Sequence, residues 1–369
     1  MGMIWLAYPA IGLLAVRLII VLYNLLSSPY LSLRQPVEKP LVSILIPARN
    51  EEANLPGLLD DIMKQPYENV EVMVYNDQST DGTGELLKKY GSRHERITSI
   101  QGESLPEGWT GKNHACHRLA MEAHGTYLLF LDADVRVSPE LIEKAVGYAQ
   151  LNDLSLLSIF PRQIMKSRGE LLTVPVMNWI LLSLLPLRLI RTSHYPSLSA
   201  ANGQLMLFRA REYRQHQFHR LVRAINVEDI HIMRLMKKMG YTTQTLLSRG
   251  EVSCRMYESY NSAIFGFTRS MFAFFGGSGL IMVLFTLFSI FGVLFVWLGI
   301  SASLAGVYLA LAAVMRVMIS VMSRQPVWPL LVYSPLIQVS FLRMVIGSIR
   351  MKLRGTHIWK DRTIQFKGI

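Results

Sequence analysis

Two aspartates one residue apart close the stretch YLLFLDADVR, residues 127–136. Tyr127 to Leu131 are aromatic and branched with no breaker, the pattern of a short buried strand. Alternation along such a strand aims Asp132 and Asp134 to the same side. Two carboxylates so placed repel unless a cation lies close, and a divalent ion with oxygen ligands meets that need. A pair of turn acids ahead of a helix is the other reading, because Ser138-Pro139-Glu140 has the composition of a helix start. Three further acidic clusters follow apolar runs or open a helix: PARNEE (47–52), NDQSTDGT (76–83) and VED (227–229). In combination these groups suit transfer from a nucleotide sugar. One acid can hydrogen-bond a base or ribose, one can hold an ion that offsets a departing diphosphate, and one can take the acceptor's proton.

Positioning such groups requires alternating elements. LVSILIP reads as a strand, NEEANLPGLLDDIMKQ as a helix, VEVMVYND as a strand and STDGTGELLKKY as a turn entering a helix. ITSIQG, GKNHACHRLAMEAHG and the strand 127–132 continue the alternation, which predicts an α/β domain with a largely parallel sheet. Ligands of such sheets sit beyond the carboxyl ends of strands, where Asp77 and the Asp132/Asp134 pair fall. Farther on, GQLMLFRA (203–210) reads as a strand and EDIHIMRLMKKMGY (228–241) as a helix closed by Gly240.

The rest of the chain is apolar. Of 369 residues 51% are hydrophobic, and the net charge is +12. Two cysteines, Cys116 and Cys254, give neither a disulfide framework nor a zinc pattern. The basic residues cluster beside apolar runs, which points to an anionic membrane surface rather than nucleic acid. Residues 3–26 are long enough to span a bilayer, and Arg17 inside them must either snorkel or face other helices. Two apolar runs, 280–299 and 302–322, form a hairpin. The segment near 171–190, interrupted by Pro175 and Pro186, reads as an interfacial helix. A last run, 327–349, contains Pro329 and Pro335 and reads as re-entrant or in-plane, which keeps the basic tail cytoplasmic. The expected organisation is a transmembrane helix and linker (1–39), a catalytic domain (40–270), a membrane region (271–350) and a cytoplasmic tail (351–369).

VSILIPARNEE, VYNDQSTDGT, LLFLDADV and VED stand in an order and spacing that resembles family 2 glycosyltransferases of the GT-A fold. EGWTGKNHAC (107–116), RMYESYNSAIFGFTRS (255–270) and IWKDR (358–362) resemble membrane-bound bacterial enzymes that glycosylate carotenoid acids of the diaponeurosporenoate type, and their hopanoid-associated relatives. The resemblance implies nucleotide contacts through Pro47, Ala48, Arg49, Glu51 and Asp77. It implies a ribose- or diphosphate-side acid at Asp132, a metal ligand for Mg2+ or Mn2+ at Asp134, and a catalytic base at Asp229. It also implies that Gly203 and Gln204 resemble the strand start near the donor sugar. A Q/RxxRW motif of processive relatives is matched by GFTRS, in which Arg269 persists while Gln and Trp become Gly266 and Ser270. That departure argues against a polysaccharide synthase. Plainer roles stand beside these: a turn acid at Asp77, a helix-start acid at Asp229, a solvated Lys112 in place of a diphosphate ligand. Trp109 could stack on a sugar or pin its loop, and Trp359 and Lys360 could fold back on the domain or anchor the tail.

The implied activity is inverting transfer of a hexose, with glucose first among candidates, from a UDP-sugar to a lipid acceptor such as a carotenoid, hopanoid or other terpenoid. The enzyme would be a multi-pass protein of the cell membrane with its catalytic domain in the cytoplasm and no required protein partner. A polyprenyl-phosphate hexose synthase is the alternative, and a non-catalytic GT-A-like scaffold a more distant one.

Overall fold

A computed structural model describes residues 3–32, 35–354, 356–359 and 362–365, the last two stretches by backbone alone. Lys360 and the end of the basic tail lie outside the described residues, as does the side chain of Trp359. The chain opens with α1 (Ile4–Ser27) and then alternates: β1 (Val42–Ala48), α2 (Leu55–Met63), β2 (Val70–Asn76), α3 (Thr83–Gly91), β3 (Ile97–Gln101), α4 (Gly111–Glu122) and β4 (Tyr127–Leu131). Next come β5 (Val135–Val137), α5 (Leu141–Leu151), β6 (Leu156–Phe160), β7 (Arg162–Gln163), α6 (Arg168–Leu171), α7 (Pro175–Leu184) and α8 (Leu189–Thr192). After these follow β8 (Leu205–Arg209), α9 (Ala210–His216), α10 (Phe218–Leu221), α11 (Glu228–Lys238), β9 (Thr243–Leu247) and β10 (Val252–Cys254). The chain ends with α12 (Tyr260–Phe274), α13 (Gly279–Gly299), α14 (Ala302–Met322), α15 (Val327–Val332), α16 (Ser334–Arg354), β11 (Thr356–Trp359) and β12 (Arg362–Gln365). Two compact units result, neither continuous in sequence: Pro29–Arg162 with Leu187–Arg255, and Met1–Ser28 with Gln163–Pro186 and Met256–Ile369.

The first unit is built on a seven-stranded sheet in the order β3-β2-β1-β4-β8-β6-β9. Apolar runs without breakers make its central strands, and every residue of β4 is buried. β1 runs parallel to β2 and to β4, with Ala48 level with Asn76 and Leu45 level with Phe130. The loops leaving these three strands therefore emerge at one edge. The sheet is largely parallel, as expected, with one reversed strand: β8 pairs antiparallel with both β4 and β6. The cause lies in the connection: β8 enters from the loop ending at Gly203-Gln204 and runs back along β4, with Leu205 level with Leu131. Its start, rather than its end, thus joins the edge where the acidic loops emerge.

Two helices carry side chains to that edge by their first turns. Thr110 caps α4 by accepting from the Asn113 amide N–H, and this places Lys112 in the opening turn. Glu228 and Asp229 open α11, where the exposed N–H groups of a helix favour negative charge. Asn113, fully buried, ties α4 to the chain ahead of α11: its Nδ2 donates to the carbonyls of Val222 (2.8 Å), Ile225 (2.9 Å) and Arg223 (3.3 Å).

The second unit is helical. Among the described residues three helices are long and apolar enough to cross a membrane: α1, α13 and α14. α7 packs against α1, α12, α14 and α16, and its residues 175–183 are all buried. It stops where Leu185, ahead of Pro186, turns extended, since the proline ring disfavours helical backbone in the residue before it. Asn24 of α1 donates to the freed carbonyls of Leu182 (2.9 Å) and Leu185 (2.8 Å). The last apolar run divides at Tyr333 into α15 and α16. Pro335 is the second residue of its helix, a place where a missing N–H costs nothing.

Replacing Asn113 by Ala leaves three carbonyls of the 222–225 segment without their side-chain donor. We expect a loss of about 1–3 kcal/mol, read as a lower thermal unfolding midpoint of the detergent-solubilised chain. An unchanged midpoint would show that water replaces the amide.

Candidate active site

The loops after β1 and β2 are joined to each other. Asn50 adopts a left-handed backbone (φ 55°), a conformation its short polar side chain tolerates. Its N–H donates to Ser79 Oγ (3.0 Å) and its Oδ1 accepts from the Thr80 N–H (2.8 Å). Glu51 N–H donates to Thr83 Oγ1 (2.9 Å), and Glu52 accepts from the Gly82 N–H (2.9 Å). A Cβ at Gly82 would meet the Glu52 carboxylate at 2.5 Å, so a side chain here would require Glu52 to move from its place on the Gly82 N–H. Arg49 Nη1 donates to the Asp77 carbonyl (2.7 Å) and lies 4.0 Å from its carboxylate. Asp77, 5% exposed, is anchored by its own N–H on the Ala48 carbonyl (2.8 Å). Pro47, Ala48, Arg49, Glu51 and Asp77 are thus gathered at the ends of β1 and β2.

A second cluster surrounds Lys112. Its Nζ lies 2.7 Å from Asp132 and 3.1 Å from Glu228. Asp229 accepts from the Gly203 N–H (2.9 Å) and from the Ile230 N–H (2.8 Å). A Cβ at Gly203 would meet Lys112 Nζ at 2.9 Å and Glu228 Oε1 at 3.0 Å, so glycine keeps this space open for the ion pair. Lys112 and Asp132 each keep 26% of their side-chain surface open. The pair therefore forms the floor of an accessible site rather than a sealed core.

Asp132 and Asp134 do not share a strand face, contrary to the expectation from alternation. β4 ends at Leu131 and both acids lie in the turn that follows, where the period of two no longer applies. Asp132 turns to Lys112. Asp134 meets Gln204 Nε2 at 3.4 and 3.5 Å and Cys254 Sγ at 3.4 Å. The thiol and Gln204 Nε2 are themselves 2.7 Å apart.

The charges are unbalanced. Burial lowers the tendency of the Lys112 ammonium to hold its proton, but Asp132 and Glu228 more than reverse this and keep it well above the ordinary lysine range. Asp132 moves the other way: burial, with Asp134 and Glu228 close by, outweighs Lys112 and pushes its carboxyl up to about 6. The two shifts are compatible because one ammonium serves two carboxylates, whereas each carboxylate has a share of one ammonium. Burial also raises Asp134, with Glu51 adding to the effect against the Cys254 hydrogen bond. Asp229 is pushed up to about 7 by burial and by Glu228, against its two backbone donors.

Among the described residues no three His, Cys, Asp or Glu side chains converge as a ready-made metal cage. The donor set nevertheless fits a divalent ion of the Mg2+ or Mn2+ kind. Such ions take one or two carboxylates and draw their remaining ligands from phosphates and water. Asp134 has only long contacts from neutral groups, and its raised carboxyl marks a negative charge in want of a cation.

The α/β unit therefore brings together every residue expected at the site except Arg269. That residue lies on α12 of the helical unit, with its guanidinium 5.7 Å from the Phe265 ring. Trp109 stacks on His117 (5.2 Å) and meets His114 edge-on (5.5 Å), so its ring has partners within its own segment. Two residues of the site had no assigned role in sequence. Glu228 was visible beside Asp229, but its partner Lys112 is remote in the chain. Cys254 carried no signal at all.

An α/β sheet with acidic loops at the ends of β1, β2 and β4, and a glycine entering β8 at the same edge, defines the GT-A class. Residues 43–211, a little under half of the chain, match the family described as Glycosyl transferase family 2. Over 239 residues it is 27% identical to a 4,4'-diaponeurosporenoate glycosyltransferase of Staphylococcus haemolyticus (strain JCSC1435), covering 62% of this chain and 60% of that relative. Over 147 residues it is 35% identical to the protein of the same name from Staphylococcus aureus (strain USA300), covering 37% and 38%. The matched part thus spans less than two thirds of either relative. In fold it is similar to a mannosyltransferase of Pyrobaculum calidifontis, solved in complex with GDP-Man and Mn2+. The TM-score is 0.56 at 18% identity, over 93% of this chain and 99% of that one. At that identity the likeness speaks for the fold alone.

Asp229 ordinarily titrates near 3.8 and is raised to about 7 in the fold. Between these values the folded chain binds more protons than the unfolded one, so this group's contribution to stability declines as pH rises through about 7. In chelator, the unfolding midpoint of wild type relative to Asp229→Asn should fall between about pH 5.5 and about pH 8. A pH-independent difference would remove Asp229 from the charged cluster.

Proposed function

We propose that the chain is a membrane-bound inverting glycosyltransferase that moves a hexose, glucose first among candidates, from a UDP-sugar to a terpenoid lipid at the cytoplasmic face. The observation that carries this reading is Asp229. Its carboxylate is fixed by the Gly203 and Ile230 N–H groups and raised to about 7, beside acids suited to a nucleotide diphosphate. A base that titrates near the working pH is matched to proton abstraction. The family 2 match and the names of the matched relatives support the same class.

In this mechanism the Arg49–Asp77 pair orients the nucleotide and Lys112 balances Asp132 and Glu228 until the diphosphate arrives. Asp134 would hold the divalent ion, Mg2+ or Mn2+. When bound, that ion offsets the charge of the departing diphosphate. The acceptor oxygen attacks the anomeric carbon from the face opposite UDP. The new C–O bond forms as the bond to UDP breaks, and the hydroxyl proton passes to Asp229. Arg269 is proposed to steady the leaving diphosphate. The helices α1, α13 and α14 hold the enzyme in the membrane that supplies the acceptor, and nucleic acid has no part in the reaction.

A hydroxyl acceptor is the first reading, because a raised carboxylate is useful only where a proton must leave. A carotenoid carboxylate is the second, and the names of the two staphylococcal relatives favour it. Such an acceptor is already ionised at pH 7.

Single-turnover transfer from UDP-glucose to matched terpenoid alcohol and acid lipids separates the two. Asp229→Asn should lower the rate with the alcohol by roughly 10²–10⁴-fold and the rate with the acid far less. Equal losses on both would show that Asp229 positions rather than deprotonates. Asp134→Asn, or excess chelator, should abolish transfer to either lipid, and full activity in chelator would overturn the metal assignment.

A further inference from the structure

Arg17 lies in the interior of α1 and Arg316 within α14, two of the helices apolar enough to cross a membrane. Neither snorkels to an aqueous surface: they are 3% and 7% exposed. Both guanidiniums face the Trp179 indole of α7, with their Cζ atoms 4.4 and 5.7 Å from the ring centroid. Arg17 also lies 4.7 Å from the Phe285 ring. Its Nε donates to Ser183 Oγ (3.1 Å) and its Nη1 to Ser289 Oγ (3.0 Å). Its Nη2 is buried and has no hydrogen-bond partner. Among the described residues no carboxylate forms an ion pair with either arginine.

A guanidinium stays charged in a protein. Two of them flanking one indole in an apolar bundle repel each other, and a cation–π contact offsets only part of the cost of burying a charge without a counter-ion. An ionisable group within a membrane span marks a candidate functional site. The missing partner is negative, and it must offer an oxygen to Nη2. A carboxylate suits the fork of a guanidinium. It must also reach the site through hydrocarbon. Ten residues, about 15 Å of helix, separate Arg17 from the end of α1 at Ser27. A bilayer phospholipid keeps its charged phosphate at the head-group level, whereas a carboxylic acid can enter hydrocarbon in its neutral, protonated form, which desolvation favours.

We propose that Arg17 and Arg316, with Trp179 between them, form a binding site for the carboxylate of a long-chain apolar acid that enters from the bilayer. The site belongs to the helical unit and does not rest on the transfer reaction proposed above.

Trp179 is its own reporter. The full chain in nanodiscs would be titrated with 9,10-dibromostearate and with the corresponding dibrominated alcohol, using Trp179→Phe to subtract the other tryptophans. The acid should quench the Trp179 emission saturably, and the alcohol should not. Arg17→Gln and Arg316→Gln should each weaken the acid about tenfold or more, the loss of one charge-assisted contact. Excess acetate or dioleoyl phosphatidate should not displace it. Equal quenching by acid and alcohol, or undiminished affinity in a correctly folded Arg316→Gln, would overturn the proposal. So would displacement by either competitor, which would assign the site to a free anion or a phospholipid. If Arg17→Gln does not fold, Arg316→Gln carries the test from the other helix.

Discussion

One ammonium organises the acidic edge of the α/β unit. Lys112 reaches Asp132 from the turn after β4 and Glu228 from the first turn of α11, and Gly203 leaves the space in which they meet. These residues are brought together by different means. Sheet register places Asp132, a threonine cap sets the first turn of α4, and the buried Asn113 amide ties that turn to the segment leading into α11. Without the lysine the crowded acids would have no cation between them and would take up protons more readily still. With it the cluster holds, yet carboxylates still outnumber ammoniums. The resting arrangement is therefore stable enough to persist and still attractive to added positive charge.

Much of this was legible where the signal is local. Uninterrupted apolar runs marked β1, β2 and β4, and the acids at their ends marked the edge at which loops converge. Hydropathy over a helix length marked α1, α13 and α14. Contacts between distant segments were not legible. Nothing near Glu228 announces Lys112, and nothing near Cys254 announces Asp134. The antiparallel run of β8 depends on how the chain returns to the sheet, which composition does not encode. The Asp132/Asp134 pairing misled for a related reason: alternation holds only while the backbone stays extended, and the strand ends one residue before the first acid.

The helical unit shows the same division. Arg17 left two readings open in sequence, snorkelling or facing inward, and its contacts with Trp179, Ser183 and Ser289 decide for the second. Pro186 and Pro335 behaved as helix boundaries. Leu185 is extended ahead of Pro186, and Pro335 sits in the opening turn of α16, so these rings shape the ends of helices instead of bending their middles.

The discontinuity of the α/β unit has a consequence for biosynthesis. β4 is paired on one side by β1, but its other neighbour, β8, follows only after the excursion through α6 and α7. At roughly 5–20 residues per second, a ribosome leaves that strand edge unpaired for several seconds. An open edge of apolar strand is a template for wrong pairing. The nascent chain must therefore settle its helical excursion before the sheet can close. Truncation after β7 would leave β4 and β6 without the strand that lies between them, so no contiguous piece of this chain contains the finished sheet without α6 and α7.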